Sequence, residues 1–197
     1  RAMSPQFGLY LVARVSMTLA STMMSVAVGW HIYAATGNPF DLALVGLVQI
    51  VPIAGLFIVS GWVIDILQRK YILIGCALLQ GLVLLGLTAS LEGAEFDRFA
   101  VFGLLFLNGI GRAFYMPAAE STLPGIVPRQ DLSKAVAITS TAWTAGATAG
   151  PFIAGLLVAW IDTGIYELLA LFSFVAGVLV IFLPRLNVKR STGRGLS

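Results

Sequence analysis

Six predominantly apolar stretches, most of them longer than 20 residues, follow one another in this chain with only short polar breaks between them. A helix rises about 1.5 Å per residue, so about 20 apolar residues cross a hydrocarbon core of roughly 30 Å. Inside that core no water satisfies backbone N–H and C=O groups, so a spanning segment must satisfy them internally. The runs cover residues 9–35, 42–64, 71–91, 99–123, 135–161 and 165–183. The expected fold is all-α and integral to the membrane. A six-helix transmembrane domain occupies residues 1–184, and a basic tail or the start of a linker occupies 185–197. Composition agrees: 58% of residues are apolar and 11% charged, where a soluble domain carries about a quarter charged.

Charge sets the orientation, because Lys and Arg collect in cytoplasmic loops. Arg69 and Lys70 lie between helices two and three, Arg129 and Lys134 between four and five, and Arg185, Lys189, Arg190 and Arg194 after six. The alternate connections hold Asp41, then Glu92, Glu95, Asp97 and a lone Arg98, then Asp162 and Glu167. Both termini are therefore expected on the cytoplasmic side of a cell inner membrane. On this reading the net charge of +3 reflects loop sorting, and no nucleic-acid partner is implied. The chain opens on Arg1 and is expected to be a fragment; its first apolar run is too long for a cleavable signal.

Site chemistry is sparse. Cys76 is the single cysteine, which rules out an internal disulfide and reads as a small buried hydrophobe. His31 is the single histidine, which removes two-histidine zinc sites and leaves any nucleophile triad only one base. No nucleophile elbow or close acid cluster lies in the apolar runs, so neither an enzyme nor a metal or cofactor is expected.

Polar residues inside the runs carry the rest. In helix one, Arg14, Thr18, Ser21 and Ser25 share a face, which either lines a wet cavity or permits close packing. Arg14 either faces that cavity or snorkels to the cytoplasmic interface. His31, beside Trp30, reads as an interfacial anchor. Helix two carries Gln49 and a kinking Pro52, whereas helix three has no ionisable residue in its span and is expected to face lipid. In helix four, Asn108, Arg112 and Tyr115 fall at i, i+4 and i+7. An amide, a guanidinium and a phenol then share one face near mid-membrane, where a charge normally meets protein or water. Glu120, beyond Pro117, could pair with Arg112, accept a coupling proton or sit at the interface; pairing is the expectation. Helix five offers a close-approach face at Gly146 and Gly150, followed by Pro151 and Gly155, and a stripe of Ser140, Thr144 and Thr148 read as packing.

Residues 61–70, Gly-Trp-Val-Ile-Asp-Ile-Leu-Gln-Arg-Lys, set a carboxylate and a basic pair between helices two and three. This stretch resembles the GxLxDRxGRR signature of the major facilitator superfamily at Gly61, Asp65, Arg69 and Lys70, and departs from it at Ile66 and Gln68. Arg112, after Gly109 and Gly111, resembles the family's fourth-helix arginine motif. Residues 146–155 are similar to its fifth-helix antiporter motif, with Ala154 in place of a glycine. Ala13-Arg14-Val15-Ser16, Thr36-Gly37, Pro52, Pro117-Ala118 and the 123–129 segment resemble the enterobactin-exporter-like branch.

The resemblance implies the N-terminal half of a proton-coupled exporter, built from a 3+3 inverted repeat, with the substrate site near the midplane. It implies helices one, two, four and five towards a cavity and three and six outside. The partners would be the bilayer, a small amphipathic molecule (a siderophore or a drug-like compound) and either a C-terminal six-helix half or a second copy. Arg14, Asn108, Arg112 and Tyr115 are the cavity candidates. Glu120 is the possible proton carrier, and Asp65, Arg69 and Lys70 form a cytoplasmic latch. The alternative is a non-transporting assembly module that uses the Gly146 and Gly150 face.

Overall fold

A computed structural model of the chain describes residues 4–93 and 97–183. Arg185, Lys189, Arg190, Arg194 and Glu95 lie outside the described residues, so the expected basic tail has no structural account.

The described residues form six long helices: α1 (Pro5–Thr36), α2 (Pro39–Ile66), α3 (Arg69–Leu91), α4 (Arg98–Ile126), α5 (Leu132–Ile161) and α6 (Gly164–Ile181). A single 3-10 turn, Arg129–Asp131, precedes α5. All six are long and apolar enough to cross a membrane. Most run past the apolar stretches because capping, rather than hydropathy, decides where a helix stops. Ser4 accepts from the Phe7 N–H at 3.4 Å with Pro5 as the first helical residue, so α1 starts four residues before the run at 9. At its other end Gly37, at φ 62°, returns its N–H to Tyr33 O at 2.8 Å, a left-handed cap that glycine adopts freely. Asn38 then caps α2 through Phe40 N–H at 3.0 Å, so α2 opens three residues before its apolar run. Asp97 caps α4 through the N–H groups of Phe99 and Ala100.

α1 lies against α5 and α6, α3 against α6 and α4, and α2 against α4. The core divides into two apolar clusters stacked along the bundle. One, at the end where α1 begins (the proximal end), gathers Phe7, Leu73, Leu123 and Val180. The other, at the distal end, gathers Met24, Leu84, Leu105 and Leu169. Between them nearly every helix contributes a polar residue at mid-height: Thr18, Gln49, Gln80, Asn108 and Ser173 are all buried.

Exposure differs from helix to helix. Half of the most apolar window of α3 is buried, as in α1, against 17% for α2 and 22% for α5. α3 packs one face on α4 and α6, where a Cβ on Gly81 would meet the Phe174 ring at 2.5 Å, and leaves Tyr71, Leu78, Leu82 and Leu85 exposed on the other. The faces of α2 and α5 carry the open apolar surface, with Phe57, Ile58 and Phe152 all exposed.

Candidate functional site

A cavity opens in the polar layer between α1, α3, α4 and α5, with about 610 Å³ of empty space when the open solvent at its entrance is counted. Thr18, Ser21, Gln80, Asn108 and Arg112 give it polar groups; Met17, Met116, Tyr115 and Trp143 give it apolar and aromatic walls. The i, i+4, i+7 spacing on α4 thus brings Asn108, Arg112 and Tyr115 to one wall. Asn108, only 1% exposed, donates to Gln49 Oε1 at 3.4 Å, and Gln49 in turn donates to Val45 O at 3.0 Å. Ser21 donates to Gln80 Oε1 at 3.3 Å, which leaves the buried Gln80 Nε2 with no partner. Arg112 is half-buried and, among the described residues, makes neither an ion pair nor a hydrogen bond. A guanidinium facing hydrocarbon costs about 2.5–3.5 kcal/mol on insertion scales, and the polar cavity is what makes the position tenable.

Within the lining of this pocket α3 contributes Cys76, Leu79 and Gln80, whereas α2 contributes no residue. Gly109 of α4 lies so close to α2 that a Cβ there would sit 2.6 Å from Gln49 O and 2.5 Å from Pro52 Cγ. This contact locks one face of α2 against α4.

Arg14 stands apart from this pocket. It is buried but lies outside the cavity lining, committed to a cluster at the proximal end. Its Nη1 donates to the Tyr10 hydroxyl at 2.7 Å, Tyr10 donates to Ala119 O at 2.8 Å, and its Nη2 pairs with Glu120. Glu120 therefore bonds α4 to α1 and does not pair with Arg112. Eight residues along a helix separate those two by about 12 Å, too far for their side chains to meet comfortably. Of the helix-one stripe, Thr18 and Ser25 also bond to their own helix, at Arg14 O and Ser21 O.

At the 61–70 stretch, Arg69 donates to Ser121 O near the α4 C-terminus. Lys70 Nζ reaches Ile181 O and Leu183 O, both at 2.6 Å, at the end of α6. Both cations complement helix C-terminal carbonyls. Asp65 is exposed and makes no hydrogen bond or ion pair among the described residues, and Gly61 faces open space. The three charged residues are close in sequence, but the structure gives them separate tasks.

On α5, Gly146 and Gly150 are buried against α1. A Cβ at Gly146 would lie 3.2 Å from Thr18 Cγ2, and one at Gly150 would overlap the Thr22 side chain. The close-approach face is therefore occupied within the chain, and the assembly-module alternative loses the surface it needed. Pro151 sits half-buried within the helix, whereas Gly155 is exposed with open space around it. Ser140, Thr144 and Thr148 are exposed within the described residues; Thr144 and Thr148 bond back to Ser140 O and Thr144 O.

Over residues 4–193 the chain matches a family described as transmembrane secretion effector, within the major facilitator superfamily. It belongs to that family. Three relatives are similar to it. Macrolide efflux protein A of Streptococcus pyogenes is 26% identical over 172 residues, 86% of this chain and 42% of the relative. MdtD of Yersinia pestis, named for multidrug resistance, is 28% identical over 199 residues, 98% of this chain and 41% of the relative. The uncharacterized MFS-type transporter YhjO of Bacillus subtilis is 31% identical over 115 residues, 56% of this chain and 27% of the relative. The chain thus spans about two fifths of the first two. None of the three is named for enterobactin, so they lend no support to that branch.

Within this facilitator bundle, the sequence reasoning missed three groups. Gln80 was overlooked because an amide among leucines gives no charge signal. Arg98, read as a lone loop cation, pairs with the buried Asp41 and so bonds the start of α4 to the start of α2. His31, read as an interfacial anchor, joins α1 to α6 instead: Nδ1 lies 2.8 Å from Ala27 O and 2.9 Å from the Tyr166 hydroxyl, and Nε2 lies 2.9 Å from Asp162 Oδ1. Asp41 and Asp162 each had a visible charge, but the partner lay 57 or 131 residues away in sequence.

Proposed function

We propose that these six helices are the N-terminal half of an inner-membrane exporter, with both ends cytoplasmic, that moves a small amphipathic molecule by alternating access. The observation that carries this reading is the mid-height cavity. A polar, donor-bearing space with methionine and aromatic walls, set in the middle of an apolar bundle, suits an amphipathic guest and serves no evident packing purpose. The open apolar faces of α2 and α5 support a second six-helix half packed across them. The macrolide and multidrug names of the relatives support drug-like cargo; a siderophore is also compatible with a donor-lined cavity.

In this reading Asn108, Arg112 and Tyr115 contact substrate, joined by Gln80. Arg14 leaves the substrate set and becomes the partner of Glu120. Proton coupling then has a concrete form. Glu120 has a largely exposed side chain yet pairs with the buried Arg14, so its protonation would cancel the charge that holds α1 to α4. Asp65, unpaired among the described residues, is the gate carboxylate that meets the other half in one state and loses that contact in the other.

The test is efflux by the full-length protein in energised cells that lack their own drug exporters, using a fluorescent amphipathic drug supplied in turn as an anionic, a neutral and a cationic (macrolide) compound. Expressing cells should retain less of at least one of them than controls, and a protonophore should abolish the difference. Equal retention of all three with and without the protein would remove the transport reading. Efflux that survives the protonophore would remove proton coupling alone.

A further inference from the structure

The cavity wall has a chemical bias. Its one charged group is Arg112, with no counter-ion among the described residues, and no Asp or Glu lines the space. The carboxylate closest along α4, Glu120, is already matched by Arg14. A second, independent observation points the same way. Gln80 is 4% exposed and lines the same cavity, yet its Nε2 has no acceptor while its Oε1 is taken by Ser21. A buried amide donor without an acceptor carries a desolvation penalty that a bound oxygen would relieve. The cavity therefore holds unused donors on α3 and α4, with soft apolar walls at Met17 and Met116 and aromatic ones at Tyr115 and Trp143.

We infer that this cavity is a subsite for an organic anion: the carboxylate, or a comparable anionic oxygen group, of an amphipathic molecule sits on Arg112 and Gln80 Nε2, with its ring or chain against the methionines and aromatics. A planar guanidinium with free N–H groups accepts two carboxylate oxygens side by side, and its charge strengthens both bonds. A cationic amphiphile in the same place would meet an uncompensated like charge and no acceptor strong enough to offset it. The inference rests on the transport reading for its biological use, but not for its chemistry, since the donor set exists in this half whether or not anything is moved.

The experiment uses the purified full-length protein in nanodiscs and three probes with one ring system: 1-naphthoate, 1-naphthylmethanol and 1-naphthylmethylammonium. Binding is read by equilibrium dialysis at constant ionic strength. Naphthoate should bind about tenfold or more tightly than the ammonium probe, with the neutral alcohol between them. This arm needs no variant. Arg112→Gln should erase the order and Arg112→Lys should keep it in weakened form. Gln80→Leu should weaken naphthoate binding several-fold and leave the alcohol much less changed. Preference for the ammonium probe, equal binding of all three, or an anion preference that persists in Arg112→Gln would each overturn the inference. Its failure is separable from failure of the transport reading. A protein that exports macrolide but shows no anion preference keeps the latter and loses the former; one that prefers naphthoate but exports nothing does the reverse.

Discussion

Two arginines lie inside the spans of this bundle and have opposite situations. Arg14 on α1 is buried among partners: a tyrosine hydroxyl on its own helix and a carboxylate on α4. Arg112 on α4 has none among the described residues and faces a cavity. A residue type costly in a membrane is thus used once to join helices and once to leave a donor unoccupied. The difference teaches that the presence of a charge in a span marks a site less reliably than the absence of its partner.

The largest expected effect separates the two by function. Arg112→Gln in the full-length protein should lower efflux at least tenfold, as expected when a charged group contacting the substrate is removed. The thermal midpoint of the purified protein should stay level or rise, because no internal bond is lost and a desolvated charge disappears. Efflux assay and thermal unfolding are read on the same preparation. A fall in stability with efflux per folded molecule unchanged would place Arg112 with Arg14 as a structural residue.

The next effect is on stability. Glu120→Gln leaves Arg14 hydrogen-bonded but without its counter-charge. Removing one partner of a buried pair costs several kcal/mol; the largely exposed Glu120 side chain screens this one, so about 1–2 kcal/mol is expected. A double change, Arg14→Leu with Glu120→Leu, should recover part of that loss, because it removes the charge and its partner together. If Glu120→Gln were as stable as the parent, the α1–α4 ion pair would be incidental and the two arginines would not differ in the way described.

The six-helix architecture was legible in the sequence because hydropathy acts over whole segments, which a spanning helix must satisfy along its length. The α4 face was legible for a similar reason: helical periodicity alone places Asn108, Arg112 and Tyr115 on one wall. What could not be read was pairing between helices. Arg14 and Glu120 are 106 residues apart in sequence, and nothing local indicates that they meet. The close fit of Gly109 against Gln49 and Pro52, which joins α4 to α2, was hidden for the same reason. The Gly146 and Gly150 pair announced a close approach but not the partner, which proved to be α1. Gln80 gave no signal because an amide becomes informative only once its donor is seen to lack an acceptor.

The smallest expected effect extends the contrast between partnered and unpartnered groups to hydroxyls. Thr144 and Thr148 are exposed on α5, and each donates to the carbonyl four residues earlier, at 3.0 Å and 2.9 Å. Such a bond adds little, because that carbonyl already accepts from the helix backbone, so removing the hydroxyl strands no buried group. The double change Thr144→Val and Thr148→Val should therefore move the stability of the purified protein by no more than about 0.5 kcal/mol, measured by denaturant or thermal unfolding. A loss well above that would mean these hydroxyls have partners beyond their own helix, on the second six-helix half proposed above. Partnership across the halves would then place the α5 stripe with Arg14, among the groups that hold helices together. An unchanged midpoint leaves it with Asp65, a polar group exposed in this half without a structural task of its own.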